Sequence, residues 1–101
     1  MKKTYTIHEL SEKLHPVFMA APIYKAVLFG SYARGLASER SDVDICIDSR
    51  GELRGLKFCG VLEDMVETLN KPVDLFDASE IRQGSPIENE IMQRGVVLFE
   101  R

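Results

Sequence analysis

The chain has 101 residues, 45% hydrophobic and 29% charged, which predicts one globular domain over 1–101 and excludes disordered, collagenous and membrane classes. Sixteen acidic against thirteen basic residues give a net charge of −3, a poor platform for nucleic-acid binding, which needs a basic stripe. Cys46 and Cys59 stand in apolar runs and in no CxxC or Cys/His cluster, so both are expected as reduced core thiols of a cytoplasmic protein.

Met1, Lys2 and Lys3 resemble the start of a signal peptide, but the largely polar Thr4, Tyr5, Thr6, His8 and Glu9 follow instead of an apolar run. Thr6 with Glu9 is a capping-box pattern, which starts a helix at Ile7. Ile7, Leu10 and Leu14 mark its buried stripe, and Pro16 is expected to end or kink it. Tyr24 to Phe29 is a β-rich apolar run that stops at Gly30, a first strand. A short helix follows Gly30. Val43, Ile45 and Ile47 alternate with Asp42, Asp44 and Cys46, a half-exposed second strand. Leu56, Cys59, Leu62, Met65, Val66 and Leu69 recur at helical spacing until Asn70 and Pro72 stop the helix.

Val73 to Phe76 is a short third strand, and Ala78 to Pro86 reads as a loop through Gly84, Ser85 and Pro86. A helix from Ile87 to Arg94 with Gly95 as its stop, then a strand from Val96 to Phe99, complete the order. Helices alternating with strands predict an α+β (α/β two-layer) domain with a sheet of about four strands. No stretch approaches the roughly 18 apolar residues of a membrane span.

The segment FGSYARGLASERSDVDICID, Phe29 to Asp48, carries the chemistry. Asp42 and Asp44 are two apart on a predicted strand, so they share a face with Cα atoms about 6–7 Å apart. Two carboxylates so placed can reach a pair of cations roughly 3.5–4 Å apart, the geometry of two-metal phosphoryl transfer. Oxygen ligands without His or Cys favour Mg²⁺ shared with substrate phosphates. Alone, the pair reads equally well as a solvated acidic strand face. Gly30 and Ser31 shift that balance. They lie where a strand ends and a short helix begins, so backbone N–H groups converge on one spot that suits a phosphate. Arg34, one turn on, adds a charge suited to phosphate oxygens. No GxxxxGK[ST] and no GxGxxG is present, which excludes the commoner phosphate loops.

Gly30-Ser31, ten residues, then Asp42-x-Asp44, within GSYARG and SDVDICID, resembles the signature of the DNA polymerase β-like nucleotidyltransferase superfamily. The loop and the length resemble the minimal nucleotidyltransferases of prokaryotes. The resemblance implies a mixed sheet with helices mainly on one face. It also implies transfer of AMP from ATP to a hydroxyl, with two Mg²⁺ ions. Asp42 and Asp44 would bind metal, and Gly30, Ser31 and Arg34 would hold the nucleotide. The superfamily uses a third carboxylate from a later strand. Period two gives Asp74 that place, since Val73 and Leu75 look core-facing. Asp48 and Asp77 read as solvated strand-end acids, with Asp77 in reserve. His8, His15 and the Arg50, Arg54 and Lys57 cluster read as surface groups.

Larger members of the superfamily carry a second domain that grips base and acceptor. This chain ends just after its last predicted strand, so a second copy or another protein is expected to supply that half of the cleft. Minimal nucleotidyltransferases are typically paired with a HEPN-domain toxin as the antitoxin of a toxin–antitoxin module, and transfer AMP to a toxin tyrosine. Two alternatives stay open: an antitoxin that neutralises by occlusion alone, and a small-molecule (antibiotic-type) nucleotidyltransferase.

Overall fold

The computed structural model describes residues 4–101; Met1, Lys2 and Lys3, which bore the signal-peptide reading, lie outside the described residues. Helix α1 spans Ile7–Ala20. Its start is fixed by the predicted box: Glu9 N–H donates to Thr6 Oγ1 at 3.0 Å, and Thr6 N–H donates to Glu9 Oε1 at 2.9 Å. The buried stripe is Leu10, Leu14 and Phe18, one residue every four. Ile7 was expected in that stripe and is instead exposed, because it opens the first turn before the helix meets the sheet. Pro16 does not end the helix, which runs on to Ala20. Pro16 is exposed, as is Glu12 four residues earlier, so both lie on the side of α1 away from the core.

Strand β1 (Lys25–Phe29) leads into a four-residue helix α2 (Gly30–Ala33), then β2 (Val43–Asp48), helix α3 (Leu56–Leu69) and β3 (Val73–Asp77). A 3₁₀ turn at Ala78–Glu80, helix α4 (Pro86–Arg94) and β4 (Val96–Glu100) follow. The sheet order is β3-β2-β1-β4, mixed as expected: β1 is antiparallel to β2 and β4, and β2 is parallel to β3. The parallel pair needs a crossover, and α3 is that crossover.

Ala26, Leu28, Val43, Ile45, Ile47 and Val73 form the covered face of the sheet, packed with Leu10, Leu14 and Phe18 of α1 and Val61, Met65 and Leu69 of α3. Leu56 and Cys59 were expected on this stripe of α3, yet both are exposed. At 100° per residue Leu56 lies opposite Met65. Cys46 is the buried thiol; the core reading of Cys59 is therefore corrected. Asn70 ends α3 in the left-handed conformation, φ 53°, as its type predicts.

Helix α4 approaches β1 from the side opposite α1 and α3, and none of its residues is fully buried. Its stop at Gly95 does not use glycine's left-handed freedom, since φ is −67°. Glycine is needed for space instead: a Cβ there would overlap the Ile91 carbonyl oxygen and press on Val27 Cγ1. Gly95→Ala is expected to destabilise the fold by about 2–3 kcal/mol through overpacking against backbone that cannot yield. Thermal denaturation checks this, and an unchanged melting temperature would show that α4 rests loosely on β1.

Candidate functional site: an aspartate cluster against a glycine turn

Two strand registers build the site. Phe29 pairs with Asp44 across the antiparallel β1–β2 ladder, and Asp44 pairs with Asp74 across the parallel β2–β3 ladder. Alternation puts Asp44 and Asp74 on the face away from α1 and α3, with Phe29, Cys46 and Phe76. The Phe29 and Phe76 rings lie 5.8 Å apart and floor that face. Gly30, directly after Phe29, turns the chain into α2 at φ +73°. A Cβ at position 30 would overlap Asp44 Oδ2. Glycine is therefore required twice, for the backbone conformation and for the close approach of a carboxylate.

Asp44 carries a marked electrostatic signature. Partial burial pushes its pKa up to about 6, helped by the charge of Asp74, a hydrogen bond between the two carboxyls, and the charges of Asp42 and Glu90. Asp42 lies one residue before β2 and is exposed, as is Asp74. Among the described residues no three acids, imidazoles or thiols stand gathered as a metal cage. The donor set nevertheless fits Mg²⁺: hard carboxylate oxygens, with like charges crowded at Asp44.

The loop between α2 and β2 is tied down. Leu36 N–H donates to the Ser31 carbonyl at 2.9 Å, and Ser38 N–H donates to Ser41 Oγ at 2.9 Å. Lys71 is only 3% exposed, and its Nζ donates to the Glu39 carbonyl at 2.8 Å, anchoring the segment that leads into Asp42. Arg34 caps α2, with its N–H directed at the Gly30 carbonyl. Its Nε lies 3.5 Å from Glu90 Oε2 on α4. Sequence reasoning did not select Lys71 or Glu90. Each acts across a long loop, and no local spacing marks it.

Two sequence expectations concern the neighbouring acids. Asp48 is exposed and accepts from Arg50 N–H at 3.0 Å, a strand-end acid as expected. Asp77 is not solvated; it is 4% exposed at the end of β3, on the covered side with Val73. Ser49 Oγ donates to Asp77 Oδ2 at 2.5 Å, and Ser79 donates to Oδ1 from its N–H at 3.0 Å and its Oγ at 2.8 Å. Burial alone would raise the Asp77 pKa, but these hydrogen bonds outweigh it and hold the carboxyl below its usual range. Concavities lined by Arg54, Phe58 and Asp77, or by Pro22, Lys57 and Asp64, lie apart from Asp42, Asp44 and Asp74. With Asp42 and Asp74 exposed and Asp44 half-buried, the cluster opens to solvent.

The model of the family described as Polymerase beta, Nucleotidyltransferase matches residues 12–101. The chain belongs to that family. Protein adenylyltransferase MntA of Thermococcus cleftensis is 42% identical over 57 residues, 56% of this chain and 58% of that protein. Two solved structures share the nucleotidyltransferase fold. One is a toxin–antitoxin with AMP-PNP, at TM-score 0.78 and 20% identity, covering 90% of this chain and 73% of that one. The other is a tri-AMPylated Shewanella oneidensis HEPN toxin in complex with MNT antitoxin, at TM-score 0.72 and 17% identity, covering 95% and 74%. At these identities the structural likeness speaks for the fold, and the four-stranded mixed sheet described above agrees with it.

Proposed function

We propose that this family member transfers AMP from ATP to a hydroxyl of a partner protein, a tyrosine of a HEPN toxin, and so serves as the antitoxin of a cytoplasmic toxin–antitoxin pair. The observation that carries the reading is the packing of Gly30 against Asp44, with Asp74 beside it across the β2–β3 ladder. A side chain-free turn held against a carboxylate lets phosphate oxygens and acidic side chains meet at one place. The adenylyltransferase relative and the AMPylated toxin complex support the choice of donor and acceptor.

In this reading the backbone of Gly30, the hydroxyl of Ser31 and the guanidinium of Arg34 hold the triphosphate tail. The attacking oxygen forms a bond to the α-phosphorus, the α–β bridging P–O bond breaks, and pyrophosphate leaves. The hydroxyl proton passes to a carboxylate, for which Asp74 is the candidate. Mg²⁺ held by Asp42, Asp44 and Asp74 would supply charge neutralisation on the phosphates. Positioning accounts for most of the rate in such transfers, and it needs reacting atoms about 3–3.5 Å apart. An open sheet face does not enforce that on a free acceptor, so the docked partner completes the site; a second copy of this chain is the other candidate for that role.

Co-expression with the partner followed by mass spectrometry tests the reading. The expected result is one or more AMP masses on a partner tyrosine, lost in the Asp42→Asn/Asp44→Asn double variant. A partner that is fully inhibited yet unmodified, equally by that variant, would establish neutralisation by occlusion instead. Modification of a small molecule with no change to the partner would establish the antibiotic-type activity.

A further inference from the structure

The aspartates and the glycine turn leave Glu90 unexplained. It lies on α4, far along the chain from the Phe29 to Asp48 segment, yet its Oε2 stands 3.5 Å from Arg34 Nε. The same oxygen is closed off from solvent and accepts no hydrogen bond among the described residues. Its charge is also felt at Asp44. A fourth carboxylate directed toward an acidic cluster is unfavourable unless a cation stands against it. Arg34 is that cation, and α2 and α4 are in contact where the two meet.

We propose that Glu90 is a positioning residue. By pairing with Nε it fixes the Arg34 guanidinium beside the Gly30 turn and leaves the two Nη groups to take triphosphate oxygens. This rests on the nucleotidyl-transfer reading above. Arg34 is half exposed and carries large rotamer freedom, so an unpaired Arg34 would lose entropy on binding phosphate that the paired one has already lost. The fork geometry suits the division, since the Nε edge and the Nη edge of a guanidinium can serve different partners.

Bare electrostatics and positioning predict opposite signs, which makes the role measurable. If Glu90 acted only as a negative charge, Glu90→Gln would tighten binding of an anionic nucleotide. If it positions Arg34, the variant weakens Mg-ATP by about fivefold to tenfold, part of one charge-assisted contact. AMP, which lacks the β- and γ-phosphates, should then bind the variant and the native chain alike. Calorimetry on the full chain, E90Q, R34A and R34A/E90Q reads this directly. In the R34A background E90Q should weaken ATP no further. R34K keeps a charge but lacks the Nε edge, and should bind ATP as weakly as E90Q; it remains informative if E90Q folds poorly. Equal or tighter ATP binding by E90Q overturns the role of Glu90 alone. Equal weakening toward ATP and AMP also overturns it, by showing general damage. A native chain that binds no Mg-ATP overturns the nucleotidyl-transfer reading, and the role of Glu90 with it.

Discussion

Replacing Asp42 and Asp44 together with Asn is expected to lower AMP transfer by about a thousandfold, the scale of losing a principal electrostatic contact in the transition state. The free chain should at the same time become more stable. Asp44 has a pKa near 6 in the fold against 3.8 for an ordinary aspartate, because burial and the charge of Asp74 oppose its ionised form. The sign of the linkage follows. A carboxyl raised in the folded state supports the fold fully below about 3.8, and that support is lost as the pH rises through about 6. Above pH 6 the native chain therefore holds an ionised Asp44 against its surroundings, while Asn at 44 carries no charge. The difference in melting temperature between variant and native chain should grow from pH 5 to pH 8. A few degrees is the expected size, since 1 kcal/mol moves a domain of this length by about 4–8 °C. Adding Mg²⁺ at pH 8 should raise the native chain and leave the variant unmoved. A variant that keeps its transfer rate, or a native chain indifferent to Mg²⁺, would remove Asp42 and Asp44 from the metal site.

What could be read in the sequence was local. Thr6 with Glu9, Asn70 before Pro72, and the alternation around Val43 to Ile47 each act within a few residues, and each appears in the fold where its chemistry requires. Gly30 was legible as a turn, but its packing against Asp44 was not, because that contact depends on the β1–β2 register. Long-range pairings left no local trace. Arg34 meets Glu90 through the packing of α2 on α4, and Lys71 reaches the Glu39 carbonyl from the far end of α3. Pro16 does not end α1, because Leu10, Leu14 and Phe18, on both sides of it in the chain, hold the helix to the core.

Asp74 and Asp77 stand three residues apart on one strand, and opposite consequences are expected from removing them. Asp74→Ala should reduce AMP transfer by about a hundredfold or more, as expected for a carboxylate that meets substrate or metal. Its stability should hold or rise slightly, because Asp74 is exposed and its charge bears against Asp44. Asp77→Ala acts on the fold instead. The buried Asp77 carboxylate accepts from Ser49 Oγ and from both Ser79 N–H and Ser79 Oγ. Ser49 is fully buried; its Oγ would still accept from Leu53 N–H, but its O–H would lose its acceptor, at a cost of about 1–3 kcal/mol. A melting temperature lower by about 4–15 °C follows for a domain of this length. Because the Asp77 carboxyl is held below its usual range, its contribution is present above about 3.8 and is lost only as the pH falls through that lowered value. The deficit of the variant should thus persist at neutral pH and close only in strong acid. Asp77→Asn, which keeps the volume and one acceptor, should recover part of the stability. Transfer per folded molecule should stay near native in both Asp77 variants. Thermal melts paired with transfer assays at a temperature where every variant is folded separate the two effects. Loss of transfer in Asp77→Ala with full transfer in Asp74→Ala would place the reacting face of β3 on the other side of the sheet.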